Sequence, residues 1–144
     1  MNRFKPCCVP FVTCLILFAM IGCGPKNQGA ELDNSRLYMI NTLLDQCHAM
    51  NGKRPKDEPS FKQFISSKTP KAIETAGCSS VDELFTSQRD GKPFVVLYDK
   101  PLNHDGRGIN AYEQSGKDGQ RMVAFDTGNV ELMASDELER LLAK

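Results

Sequence analysis

The residues best suited to nucleophilic or metal chemistry in this chain of 144 residues are its six cysteines and two histidines. Cys47 and His48 are neighbours in "LLDQCHAM". On a helix, consecutive side chains point about 100° apart, so adjacency alone does not make a thiolate–imidazole pair. His48 therefore reads as a residue of the polar face. A Cys47–His104 nucleophile and base would need the fold to join distant residues and a positive niche for the thiolate, and no such pair is expected. His104 reads as an exposed loop residue, because no second histidine or free cysteine stands at zinc-ligand spacing. The segment "DKPLNHDGRG", 99–108, gathers oxygens. Asp99, Asn103 and Asp105 are candidate calcium ligands, and Gly106 permits a tight turn. Calcium takes roughly six to eight oxygens, more than these side chains supply. Turn-forming Asp and Asn explain the same residues without a metal, so the primary expectation is no cofactor.

Other polar motifs have simpler readings. "QSGKDGQ", 114–120, contains Gly-Lys without the earlier glycine of a phosphate-binding loop and reads as a hairpin turn. Glu131, Asp136, Glu137 and Glu139 lie at and after a strand. Asp136 and Glu137 fit a helix's first turn, where carboxylates complement the dipole. No constellation points to catalysis, and the expectation is a protein that is not an enzyme.

Charge excludes a further class. Basic and acidic side chains number 18 each. Removing Arg3 and Lys5 leaves 16 basic against 18 acidic from residue 23 onward. A nucleic-acid binder needs a clustered basic face to displace phosphate counterions, and this chain is slightly acidic without one.

The N-terminal segment has an organisation of its own. Arg3 and Lys5 form a short positive region, and "VPFVTCLILFAMIG", 9–22, is uncharged and mostly apolar. That run is shorter than the roughly 20 residues that span a bilayer, and Pro10 weakens it as a helix. It ends in Met20-Ile21-Gly22-Cys23, which resembles the lipobox of bacterial lipoprotein signals, with Met20 in place of the usual leucine. The resemblance implies cleavage after Gly22 and a diacylglycerol thioether on Cys23. Several acyl chains anchor stably where one is marginal. Gly24 after the cysteine, by the same resemblance, favours the periplasmic side of the outer membrane over the inner membrane. The expected organisation is a signal peptide at 1–22, a lipidated Cys23 with a flexible tether to residue 32, and one domain over 33–144. The expected partners are the membrane, through Cys23, and an envelope protein.

This assignment sorts the cysteines. Cys7, Cys8 and Cys14 leave with the signal, and Cys47 and Cys78 remain as an even pair in an oxidising compartment. A bridge between them closes a loop of about 30 residues and contributes roughly 3–4 kcal/mol in the chain-entropy picture. Cys47 also sits in an apolar stripe, where a buried free thiol fits equally well.

The domain reads as helices first. Asp33, Asn34 or Ser35 caps a helix with Leu37, Ile40, Leu44 and Cys47 on one face, widened by Met39, Leu43 and Met50. Gly52 and Pro55 stop it, with Lys53 and Arg54 at its negative end. Short helices follow: one from Asp57 or Ser60 carrying Phe61, Phe64 and Ile65, a turn after Thr69-Pro70, and one opened by a Ser80–Glu83 capping box. Beyond Asp90-Gly91 the pattern changes to strands: "PFVVLYD" as a central strand, then "GINAYEQ", "RMVAFD" and "VELM". Their short, glycine-rich gaps favour antiparallel hairpins. Ser135 caps a last helix with Leu138, Leu141 and Leu142. The fold class is α+β: helices, an antiparallel sheet of three or four strands, and a closing helix.

Residues 35–133 resemble the soluble half of type II secretion pseudopilins and type IV pilins, in which a long helix crosses a small antiparallel sheet. "RLYMINTLLDQCHAMNGKRP" is similar to the end of that helix. Gly91, Pro93 and Phe94 of "RDGKPFVVLY" match the entry to the family's first strand, and "MVAFDTGNVE" its late hairpin. The chain departs from the family at its N-terminus, lacking the Gly-Phe cleavage site and the glutamate after it. The resemblance implies a pseudopilin-like domain held by a lipid instead of a filament-forming helix, acting by protein contacts in envelope assembly or secretion. It also implies calcium as a ligand of the sheet region, the alternative being a calcium- or small-ligand-binding module built on 99–108.

Overall fold

The computed structural model describes residues 28–144. Cys23 and the whole signal segment lie outside them. The first helix, α1, runs Gln28–Asn51, about 36 Å at 1.5 Å per residue. It starts earlier than its expected caps. Asp33, Asn34 and Ser35 lie inside it, and Glu31, not a cap, is the acidic residue of its first turn. The expected tether to residue 32 is shortened by these residues. Leu37, Ile40, Leu43, Leu44 and Cys47 are all buried, as the stripe requires. Gly52 ends the helix at φ +70, its N–H bonded to His48 O.

Three short helices follow. α2, Glu58–Lys68, opens on a capping box in which Asp57 accepts from Ser60 N while Ser60 Oγ returns to Asp57 N. α3 is Lys71–Thr75 and α4 is Val81–Leu84. At α4 only half of the expected box forms. Ser80 accepts from Glu83 N, but the Glu83 carboxylate binds Ser79 N and Oγ and the Arg36 guanidinium.

The sheet has five strands: β1 Phe94–Val96, β2 Leu102–His104, β3 Arg107–Glu113, β4 Gln120–Phe125 and β5 Val130–Ala134. All pairings are antiparallel, in the order β1-β3-β4-β5, with β2 also on β3. Two expectations change here. The first strand is an edge strand of three residues, and β3 is central. Residues 102–107, expected as loop, form a hairpin with the start of β3 instead, with β2 continuing the edge that β1 leaves. Its turn is Asp105-Gly106, both at positive φ, and Asp118-Gly119 repeats that device between β3 and β4. Two successive left-handed residues match the twist of the flanking strands.

A bulge on β3 settles which residues face which layer. The register shifts between Ile109 and Ala111. Asn110 and Ala111 consequently both turn toward α1, while Ile109 and Tyr112 face away. One face packs Phe94, Ala111, Met122 and Ala124 against α1, α2 and α4. The other packs Ile109, Tyr112, Val123, Phe125 and Met133 under Leu138 of α5, Ser135–Leu142. Ser135 is the first residue of that helix, and Ala134 stands at the cap position without a side-chain bond. The domain is α+β, with helices on both faces of the sheet. Among the described residues no helix is long and apolar enough to cross a membrane.

Gly116 and Gly119 separate two contributions to the β3–β4 turn. Both hold φ near +70, but a Cβ on Gly116 runs into the Gln120 carbonyl, whereas one on Gly119 meets nothing within 4 Å. In urea titrations Gly119→Ala is expected to cost about 1–2 kcal/mol, the left-handed penalty alone, and Gly116→Ala distinctly more. Equal costs would show that the Gly116 contact relaxes freely.

Candidate functional site

Two polar assemblies and one cleft remain to be explained after the core is accounted for. The first assembly is a buried clasp at the N-terminal part of α1. Asp33 is fully buried and accepts from Ser87 Oγ at 2.8 Å, Gln88 N at 2.7 Å and Arg89 N at 2.9 Å. Glu113 on β3, also fully buried, accepts from Met122 N and from Arg89 Nη1 at 2.8 Å, with Ser87 Oγ at 3.2 Å. Burial pushes the Glu113 carboxyl above the usual carboxylate range. Asp33 adds to this, and Met122 N, Arg89 and Ser87 oppose it. Asp90 beside the clasp goes the other way: burial raises it, but the N–H groups of Lys92, Gly116 and Ser115 win and lower it. Both carboxylates of the clasp are engaged within the fold, Ser87 giving its single hydroxyl proton to Asp33 or to Glu113 at any one time, which makes the clasp a structural junction.

The second assembly crosses from α1 to the sheet. Arg54 donates from Nη1 to Asn110 Oδ1 at 2.9 Å and from Nη2 to Leu97 O at 2.8 Å, and Asn110 donates to Asn41 on α1. Arg54 is expected to complement the negative end of α1. It instead reaches the bulge and the carbonyl where β1 stops. Beside it lies a cleft of about 670 Å³, lined by Cys47, Asn51, Lys53, Arg54, Pro55, Lys56, Ser60 and Phe64.

The residues singled out from sequence are dispersed. Cys47 and Cys78 are free thiols, both buried. Cys78 lies beside the Arg36 guanidinium and Glu83, and burial raises its pKa. Cys47 is 11 positions beyond Arg36 on α1, about 16 Å along the axis, whereas a bridge needs Cα atoms within roughly 7 Å. Of the two readings, bridge or buried free thiol, the structure shows the second and corrects the bridge: both thiols are free in the core, Cys47 accepting from Asn51 Nδ2 at 3.3 Å. His48 is exposed, as a polar-face residue should be. His104 packs on Phe125, on the α5 side of the sheet, while Cys47 belongs to the α1 side, so the two do not meet. Of the calcium candidates, Asp99 follows β1, Asn103 on β2 pairs with Gly108 on β3, and Asp105 holds the hairpin turn with its carboxylate 86% exposed. Among the described residues no three His, Cys, Asp or Glu side chains gather as a metal-binding group. The clasp and the Arg54 assembly were missed because most of their contacts join residues 24 to 69 positions apart, with Met122 N to Glu113 closer, at 9. The cleft did leave a signal, the run Lys53-Arg54-Pro55-Lys56 directly after the helix stop.

Compared with known protein families, curated proteins and solved structures, the chain matches none.

Two consequences of the clasp are measurable. Asp33→Ala strands the Gln88 N–H and leaves Arg89 N only its bond to Ser87 Oγ, and is expected to cost ~1–3 kcal/mol in urea unfolding. Glu113 binds its proton more tightly folded than unfolded. Stability of the wild type relative to Glu113→Gln should therefore rise as pH falls through its raised pKa, levelling off below about 4.3, the ordinary glutamate value. A pH-independent difference would overturn this.

Proposed function

We propose that this protein is a lipid-anchored cell-envelope protein that acts by protein–protein contacts of its folded domain and not by catalysis. The observation that carries the reading is Met20-Ile21-Gly22-Cys23 at the end of an uncharged apolar run. Acylated Cys23 is its membrane attachment, on the periplasmic side of the outer membrane. Four residues separate Cys23 from Gln28, where α1 begins. Fully extended they reach about 14 Å, so the domain works beside the lipid surface. A long helix across an antiparallel sheet supports the pseudopilin-like description, with the lipid taking the place of a filament-forming helix. The engagement of Asp33, Arg36, Arg89 and Glu113 within the fold favours a binding role over acid–base chemistry.

Radiolabelled palmitate fed to cells expressing the full chain should appear in the wild-type protein and vanish in Cys23→Ala. Label that persists in the variant would refute acylation at this residue. Crosslinking in intact cells should then yield an envelope protein with the wild type and far less of it with the unanchored variant.

A further inference from the structure

The cleft at the C-terminal end of α1 has an unusual charge inventory. Its lining includes three cations, Lys53, Arg54 and Lys56, and no carboxylate. Each of the other described arginines has a carboxylate within 4 Å: Arg36 with Glu83, Arg89 with Glu113, Arg107 with Glu131, Arg121 with Glu139 and Arg140 with Asp136. Arg54 alone among them does not. Its terminal nitrogens donate to two neutral acceptors, and its buried Nε–H has no partner. Asp45 and Asp126 act on it only through space, and burial dominates, lowering its pKa. A half-buried guanidinium with no carboxylate in direct contact is open to one, and its planar fork suits carboxylate or phosphate oxygens.

Part of the lining is apolar. Phe64, Pro55 and Cys47 are all buried side chains of the lining. The volume falls within the roughly 300–1,000 Å³ of small-molecule sites. We propose that this cleft binds a small organic anion, an acidic head facing Lys53, Arg54 and Lys56 and an apolar body against Phe64 and Pro55. Arg54 supplies the fixed charge, since Asn110 and Leu97 O hold it in one orientation. Lys53 and Lys56, both exposed, supply mobile charges at the rim. The site is independent of the anchor. Cys47 stands about 28 Å along α1 from Gln28, so ligand approaches from the end of the domain away from Cys23.

The test is calorimetry on the full chain in phosphatidylcholine nanodiscs, with three probes: 4-phenylbutyrate, the uncharged 4-phenylbutanol and inorganic phosphate. The butyrate should bind at least tenfold more tightly than either of the others. Arg54→Gln should weaken it at least tenfold. Because Arg54 also joins α1 to the sheet, the double variant Lys53→Gln/Lys56→Gln serves as a second test, expected to weaken binding several-fold with the melting temperature unchanged. Phe64→Leu should weaken the butyrate and leave phosphate unaffected. Equal affinity for acid and alcohol overturns the charged site, and equal affinity for phosphate and butyrate overturns the apolar wall. Unchanged binding in the double lysine variant, or no binding of the butyrate at millimolar concentration, overturns the proposal.

Discussion

Two carboxylates, Asp33 and Glu113, sit fully buried around one serine and one arginine, and the arrangement of the layers depends on how they are satisfied. A buried carboxylate is tolerated only where donors converge on it. Here the donors come from the 87–90 turn and from β4, while the acceptors come from α1 and β3. The clasp therefore specifies how α1 enters the sheet, in a way that apolar packing alone does not. Sliding the helix by one turn would keep much of the Leu37–Cys47 stripe in contact but leave Asp33 facing no N–H groups.

The Arg54–Asn110–Asn41 assembly repeats this logic at the far part of α1. The helix is thus held by polar contacts at Asp33, Arg36 and Asn41 as well as by its apolar stripe. The difference between the clasp and the bulge is instructive. At the clasp the fold provides an arginine for its acid. At the bulge it provides only neutral acceptors for its arginine, and the unbalanced charge lies beside a cleft rather than in the packed core.

Much of this fold is legible in the chain. The stripe of α1, the Gly52 stop, the Asp57 cap and the strands β3 to β5 follow from period, capping and turn chemistry, all of which are local. What escapes is what depends on distant partners. β2 is three residues long after Pro101, too short to show alternation, and exists because β3 offers it an unpaired edge. Asp33 was read as a helix cap, and it does accept backbone N–H groups, but those of a turn 54 to 56 positions away. Asn110 sits in a strand pattern that gives no sign of its bond to Asn41, which depends on the bulge. The candidate cleft is half legible: its basic run is visible, while the absence of a counter-ion for Arg54 is a property of the assembled structure.

The distribution of these contacts bears on how the chain reaches its native state. Asn41 meets Asn110 across 69 positions, and the α1 stripe is covered by strands that come last in sequence. Loop closure of that length must precede any reward from packing, which slows folding. A chain made or exported from its N-terminus shows Leu37, Ile40, Leu43 and Leu44 to its surroundings before β3 exists. The helix whose apolar stripe ends fully buried is therefore the segment open to aggregation, and to chaperone capture, until the strands through Ala124 arrive.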